Sequence, residues 1–204
     1  MAFPNALVAT ELAAVNQILG AVGQAPVTTL DQTNPDVAIA YDTLIEVNRE
    51  VQSEGWTFNT ESEYPFTPDN NGEILIPINV LQLDLANVYE NMGIEVVRRN
   101  GKLYNKTDHT FTWTLPVKCD VVWLFDFNDL PTSFRDLVIA RASVQASTKM
   151  VGDSIVYQML QQKEAMARAN VMEYECNQGD YSYFGANKNI GFYNSYQPYK
   201  TLAR

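Results

Sequence analysis

The stretch "EVNREVQSEGWTFNTE", residues 46–61, predicts the end of a charged helix followed at once by two large aromatic side chains. Gly55 is the expected terminator, because glycine enters the left-handed conformation without a Cβ penalty. Trp56 and Phe58 then follow. They could form a stacking platform for a base or a sugar, or a plug that fixes the helix end to a hydrophobic core. Soluble proteins seldom expose such a pair, so the composition favours the plug.

The residues before this stretch predict two amphipathic helices. Thr10 can cap the first helix, which ends near Gly20. Asn34 can cap the second, with Pro35 at the first helical position, where its missing N–H costs nothing. The buried stripe expected on the second helix comprises Val37, Tyr41, Leu44, Val47 and Val51.

From about residue 72 the pattern changes to short strands broken by proline, glycine and asparagine. Residues 73–80, "EILIPINV", predict a strand that Pro77 confines to a sheet edge or a bulge. Residues 81–93 fit a helix or a strand equally well. Asn100-Gly101 is a strong two-residue hairpin signal. Residues 119–127, "CDVVWLFDF", are apolar on both faces and predict a covered central strand.

The chain then returns to helical periodicity. Residues 130–150 predict a helix with Pro131 at its first position, and Gly152-Asp153 separates it from a last helix running from about Ser154 to Cys176. The predicted fold class is α+β and helix-rich: an antiparallel helical core with an inserted small antiparallel β-sheet and an extended C-terminal arm. The expected regions are residues 1–71 (helical core, first half), 72–127 (inserted strands with a hairpin), 128–176 (helical core, second half) and 177–204 (arm).

The arm has neither helical nor strand periodicity, yet it holds five of the eleven tyrosines. Such a segment cannot bury enough aliphatic surface to fold alone, so we expect it to order on a partner. It carries three basic residues against one acidic, a net charge of +2, which leaves −12 on the preceding body. The side chains expected to contact that partner are Tyr181, Tyr183, Phe184, Phe192, Tyr193, Tyr196 and Tyr199.

Overall charge and cysteine content exclude several classes of protein. A net charge of −10 and a pI near 4.5 argue against a protein that grips nucleic acid with a basic face. Cys119 and Cys176 lie far apart without CxxC spacing, so we expect buried free thiols rather than a disulfide or a zinc site. No run approaches eighteen apolar residues, and the N-terminus lacks a basic segment before an apolar run. We therefore expect a soluble protein that is neither inserted in a membrane nor exported by the general secretory route.

Candidate catalytic residues are few and scattered. His109, the single histidine, is expected in a loop near the hairpin. Asp126 and Asp129 could bind a cation, but no complete set of oxygen ligands follows them, and Asp129 or Asn128 is better explained as support for the turn into the next helix. Glu61 and Glu63 could form an acid/base pair for glycosidic cleavage. We expect no catalytic residues, no metal and no cofactor, because no nucleophile or phosphate-binding motif appears.

Three blocks of sequence together resemble the tail tubular protein A family, the head-to-tail adaptors of short-tailed bacteriophages (podoviruses). The blocks are "ELAAVNQILGAVGQAPVTTLD" (11–31), "VNREVQSEGWTFNTE" (47–61) and "FNDLPTSFRDLVIARAS" (127–143). "NGKLYNKT" (100–107) lies between the last two, and "MARANVMEYE" (166–175) follows them. Their order and spacing extend the resemblance over roughly residues 10–176, whereas residues 62–92 and the arm depart from the family's pattern.

The resemblance implies a structural virion protein, assembled in the host cytoplasm into a dodecameric ring between the portal protein and a tail nozzle of the tail tubular protein B type. DNA would pass through the ring without specific binding, and an acidic body suits such a channel because fixed negative charge repels phosphate. Within the second block, Gly55, Trp56 and Phe58 would pin the helix end as scaffold. The alternative is a tail-associated glycan hydrolase, which needs a carboxylate pair such as Glu61 and Glu63 in a cleft.

Overall fold

The computed structural model describes residues 10–86 and 93–179. Within these ranges the helices are α1 (Glu11–Ala21), α2 (Pro35–Ser53), α3 (Thr132–Met150) and α4 (Ser154–Gly179). The strands are β1 (Thr60–Phe66), β2 (Val80–Leu85), β3 (Val96–Arg99), β4 (Lys102–Asn105) and β5 (Val117–Trp123). The predicted α+β, helix-rich class is confirmed.

The helix starts follow from local capping chemistry. The Thr10 hydroxyl accepts from the backbone N–H three residues on (3.3 Å), and the Asn34 side chain accepts from the N–H two residues on (3.0 Å), so both predicted caps are confirmed. Pro35 is the first residue of α2 as predicted. Pro131 was expected at the first position of α3, but its ψ of 149° is extended and the helix begins one residue later.

The hydrophobic core of the helical part lies among the four helices. α1, α2 and α3 each bury one face in it, and α4 contributes Val171. The stripe predicted for α2 is buried at Val37, Leu44, Val47 and Val51, while Tyr41 is only half-buried and its hydroxyl donates to Glu11 (3.4 Å). Each fully buried aliphatic or aromatic side chain of this kind stabilises the fold by about 1.5–3 kcal/mol.

The second core lies under a three-stranded antiparallel sheet of order β1-β5-β2. β5 is the central strand, as predicted for that segment. The β3–β4 hairpin turns at Asn100 (φ 51°) and Gly101 (φ 72°), the two left-handed residues of a type I′ turn, and the hairpin prediction is confirmed.

Two features of the strand region differ from the sequence predictions. Residues 73–80 were expected to form a strand, but residues 73–79 make only isolated bridges, at Glu73 and Leu75, and Val80 is the first residue of β2. Pro77 has no N–H to donate, and the chain turns just after it. The ambiguous segment after them begins as β2. The strands also start earlier than residue 72, since β1 begins at Thr60 and pairs with β5.

The two cysteines have different environments. Cys119 is fully buried on β5, and burial raises the pKa of its thiol to about 12. Cys176 is exposed, so the expectation that both thiols are buried was wrong for this one. α4 buries only a narrow seam against the other helices, and position 176 lies outside it.

Candidate functional site at the helix–sheet junction

Gly55 ends α2 in the left-handed conformation (φ +75°), and its N–H donates to the Gln52 carbonyl (3.2 Å). A Cβ built at this position would lie 3.4 Å from Cγ2 of Val122 on β5. The end of α2 therefore passes in contact with the central strand of the sheet. We use the name helix–sheet junction for Gln52, Gly55, Trp56, Phe58 and Asn59.

Trp56 lies in the helical core with 6 % of its surface exposed. Its indole N–H donates to the carbonyl of Val51 (2.7 Å) in the last turn of α2, which also accepts from the N–H of Glu54 (3.3 Å). Its ring meets Phe134 of α3 edge-on, with centroids 5.1 Å apart. The side chain thus bonds to the end of α2 and packs on α3.

Phe58 extends this aromatic cluster toward the sheet. Its ring centroid lies 4.5 Å from that of Phe134 and 6.4 Å from that of Phe125, which follows β5. Phe134 also meets Tyr174 of α4 edge-on at 5.9 Å. The cluster therefore brings α3, α4 and the segment after β5 together beside the end of α2.

Asn59 is the central hydrogen-bonding residue of the junction, and the sequence analysis missed it. It is 1 % exposed; its side-chain oxygen accepts from the N–H of Trp56 (2.8 Å), and its side-chain nitrogen donates to the carbonyls of Gln52 and Trp123 (both 2.9 Å). The N–H of Trp123 in turn donates to the Asn59 carbonyl (2.8 Å). A single buried amide therefore joins α2, the loop after it and the end of β5.

Gln52 makes a second link between α2 and the segment after β5. Its fully buried amide donates to the Phe125 carbonyl (2.9 Å) and accepts from the Phe125 N–H (2.8 Å). It also donates to Asn48, one turn earlier on the same helix face (3.0 Å). A sequence signal for this pair existed, because Asn48 and Gln52 continue the spacing of four that begins at Leu44 in the apolar stripe.

An ion-pair network lies beside the junction. Glu54 bonds to Arg168 of α4 (2.8 and 3.0 Å) and to Arg141 of α3 (3.2 Å), and Arg141 also bonds to Glu164 (2.8 Å). Burial alone would raise the pKa of Glu54, but the bonds from Arg168 and Arg141 outweigh it and lower that pKa. The Arg168 guanidinium also lies 5.6 Å from the centroid of the Trp56 ring.

Glu175 of α4 binds the loop directly. One carboxylate oxygen accepts from the N–H of Thr57 (2.8 Å) and from its hydroxyl, while the other has no hydrogen-bond partner among the described residues. The carboxylate thus fixes the last turns of α4 to the loop between α2 and β1.

Glu61 and Glu63, the carboxylates considered for glycan cleavage, lie on β1, which begins directly after Asn59 of the junction. Glu63 sits at a β-bulge with φ +57°, is exposed and pairs with Lys118 (2.8 Å). That hydrogen bond lowers its pKa, whereas an acid catalyst needs a raised one. A nearby depression on the sheet surface is lined by Thr60, Gln82, Leu83, Asp84, Asp120, Val121 and Val122, and includes neither Glu61 nor Glu63.

The remaining candidate residues do not form a site. His109 is an exposed loop residue in the left-handed conformation (φ +56°). Asp126 precedes the short 3₁₀ helix Phe127–Asp129, and its carbonyl accepts from the N–H of Asp129 (3.0 Å), so the backbone supports this turn. Over residues 10–86 and 93–179, no three His, Cys, Asp or Glu side chains come close enough to hold a metal ion.

The aromatic contacts expected for the arm lie outside the described residues. They are Tyr181, Tyr183, Phe184, Phe192, Tyr193, Tyr196 and Tyr199. In the part of the chain that the structure describes, no helix has both the length and the apolar character needed to cross a membrane.

Comparison with known proteins defines the class to which this fold belongs. The model of the tail tubular protein family matches residues 12–181, which include the junction and nearly every residue of the helices and strands. The chain is a structural component of a bacteriophage tail and belongs to the tail tubular protein family. Among individual proteins, it is similar to tail tubular protein A of Klebsiella phage KP34, with 33% identity over 121 residues. The match covers 59% of this chain and 62% of that relative, less than two thirds of its length.

Proposed function

We propose that the chain is a head-to-tail adaptor, a subunit of a dodecameric ring that joins the portal protein to the tail nozzle and surrounds the path of DNA ejection. The observation that carries the proposal is the family match across both cores and the junction between them. A tail tubular protein that connects two other assemblies must hold its own parts in a fixed arrangement.

The helix–sheet junction supplies such an arrangement. Its buried amides are Gln52 in α2 and Asn59 just before β1. They bond to Phe125, which follows β5, and to Trp123 at the end of β5, so their donors and acceptors are paired within the protein and need no water. The helical core and the sheet core are therefore expected to move as one body. A rigid subunit keeps the surface that contacts the portal and the surface that contacts the tail nozzle in a fixed relative position.

The acidic charge supports the proposed passage of DNA. The chain carries a net charge of −10, and repeating this charge around a ring gives the assembly a strongly negative total charge, which disfavours tight binding of phosphate. Transit without specific binding requires that the walls do not grip the backbone. We propose that the nozzle of the tail tubular protein B type continues this channel.

The arm is proposed to hold the ring to the portal or to a neighbouring subunit through its aromatic side chains. Tyrosine and phenylalanine supply large contact areas with few rotatable bonds to order. Such anchors usually act together, so removal of the arm is expected to weaken docking by roughly tenfold or more.

The role is proposed to be non-enzymatic. The glycan hydrolase alternative depended on Glu61 and Glu63, and the ion pair between Glu63 and Lys118 argues against an acid catalyst there. Purified protein is expected to release no sugar from cell-wall or capsular glycan. Reproducible release that disappears in both Glu61→Gln and Glu63→Gln would favour the hydrolase.

Binding to the purified portal protein tests the adaptor role. The full chain and a variant that ends at Gly179 are each titrated against the portal, and circular dichroism checks that both bodies fold. We expect the full chain to bind and the truncated chain to bind more weakly with an unchanged body. Equal affinity of the two would contradict the role proposed for the arm, and no binding by either would contradict the adaptor role itself.

A further inference from the structure

The outer surface of α4 carries large apolar side chains that no described residue covers. Ile155, Met159 and Met166 are 67 %, 67 % and 71 % exposed. Their spacings of four and seven residues place them within about 40° of one another around the helix. We call these three residues the α4 stripe. Single exposed apolar residues are common, but three aligned on one helix face indicate an interaction surface.

The α4 stripe is separate from the seam that attaches α4 to the core. The seam comprises Val156, Leu160, Glu164, Ala167, Val171 and Tyr174, which are half-buried or buried. Its centre lies about a third of a turn away from the stripe around the helix axis. Substitutions in the stripe can therefore change an outer contact while the attachment of α4 remains.

The composition of the α4 stripe indicates the chemistry of its partner. Two of its three side chains are methionines, which are flexible enough to fit irregular surfaces and make favourable sulfur–aromatic contacts. The arm offers the matching chemistry, since residues 180–204 contain seven aromatic side chains and few aliphatic ones. A peptide rich in tyrosine and phenylalanine is thus the complement of a methionine surface.

The length of the arm allows it to reach such a surface. α4 has 26 residues and is about 39 Å long; it includes residues 177–179, which were predicted to belong to the arm, so the arm is residues 180–204. Residues 180–204 could span up to about 80 Å when extended. An arm that leaves one subunit can therefore run along the whole of α4 in the next.

We propose that the α4 stripe is the docking surface for the aromatic arm of a second copy of this chain. The proposal rests on the ring assembly proposed above and specifies the surface that receives the arm. In a head-to-tail ring every copy gives one arm and receives one, so all stripes are covered when the ring closes. The arm could instead fold back onto α4 of its own subunit. Its first three rings, Tyr181, Tyr183 and Phe184, would then be taken up by the turn that reverses the chain and would not reach the stripe.

Disulfide trapping between two differently tagged subunits tests this contact. Both carry Cys176→Ser; one adds Met166→Cys on the stripe, and the other adds Tyr193→Cys on the arm. We expect mild oxidation of the mixture to give a covalent heterodimer that reductant dissolves. The matched control replaces Met166→Cys with Gln161→Cys, which is also exposed on α4 but faces away from the stripe. We expect a heterodimer yield at least tenfold lower from the control.

Three results would overturn the proposal: no heterodimer, equal yields from positions 161 and 166, or a bond formed only within one chain when Met166→Cys and Tyr193→Cys are combined. Trapping is done with and without the portal, and ring formation by the chain without substitutions is recorded separately. A ring that forms without the heterodimer contradicts the docking surface alone, whereas loss of both ring and heterodimer contradicts the adaptor role as well.

A second variant separates the arm from other possible occupants of the stripe. Met159→Lys with Met166→Lys is expected to keep the melting temperature and to weaken self-association as much as removal of residues 180–204 does. Combining the two changes should add nothing further, because they disrupt one contact. If the lysine variant disrupts assembly while the truncated chain assembles normally, the stripe meets another surface and the proposal is wrong.

Discussion

At the scale of single residues, the junction depends on side chains that combine apolar burial with a hydrogen bond. Trp56 fills space between α2 and α3 and also satisfies a carbonyl at the end of α2. Asn59 is as buried as the aliphatic residues around it, yet both its side-chain oxygen and its nitrogen have partners. Loss of Asn59 leaves the N–H of Trp56 without its partner, which costs more than the loss of contact area alone. Loss of Trp56 removes its packing and one of the two hydrogen bonds to the Val51 carbonyl.

Trp56→Ala is expected to lower the free energy of unfolding by about 3–5 kcal/mol, through the cavity it leaves and the loss of the indole hydrogen bond to the Val51 carbonyl. Urea unfolding measures the change. Ile78→Ala is the control, since Ile78 is 92 % exposed and its truncation should change stability by less than about 0.5 kcal/mol. An unaltered midpoint for Trp56→Ala would mean that the ring is exposed and would revive the binding-platform interpretation.

Gly55→Ala is expected to destabilise the protein by about 1 kcal/mol, because a Cβ is strained at φ +75°. Gly20→Ala is the matched control: Gly20 lies in α1, and a Cβ there meets nothing within 4 Å. That change should stabilise the protein by up to about 1 kcal/mol, since alanine is a better helix former. Thermal melts compare the two, and equal shifts would show that the left-handed conformation of Gly55 is not needed.

At the scale of secondary-structure elements, Glu54 links α2 to both α3 and α4. Its pKa is lowered in the folded protein, so its ion pairs stabilise the fold above the unfolded pKa of about 4.3 and are lost as the pH falls through the lower folded pKa.

Glu54→Gln should therefore cost about 1–2 kcal/mol of unfolding free energy at pH 7. The difference from the unsubstituted protein should shrink as the pH falls from the unfolded pKa of about 4.3 toward the lower folded pKa, because Glu54 is protonated in both states only below the folded pKa. Urea unfolding at pH 7 and pH 3 checks this. Glu173→Gln on the exposed face of α4 is the control and should change little at either pH. A penalty for Glu54→Gln that is the same at both pH values would contradict the proposed network.

Elements whose signals are local could be predicted from the sequence. The caps at Thr10 and Asn34 and the Asn100-Gly101 turn depend on a few neighbouring residues, and all were predicted. β1 was missed because its residues, "TESEYPF", are mostly exposed and are strand only through pairing with β5, more than fifty residues away. The sequence also could not show that Asn59 is buried, since an asparagine after an aromatic pair is equally typical of a surface turn.

At the scale of the whole molecule, two hydrophobic cores are joined by a junction of aromatic side chains and buried amides, and the α4 stripe faces outward. The sequence predicted the junction at Gly55, Trp56 and Phe58 but attributed it to the helical core alone. The contacts of Asn59 and Gln52 with the end of β5 and the segment after it show that the sheet is held there too. Long-range pairing of this kind leaves no periodic signal in the sequence.

Electron microscopy of the purified chain mixed with its portal protein tests the adaptor role most directly. We predict closed rings of a single size, seated on the portal and coaxial with its channel, because identical head-to-tail contacts close when the rotation between copies is fixed. The same grids without the portal show whether closure needs a template. Monomers that leave the portal bare, or open filaments that never close on it, would contradict the account.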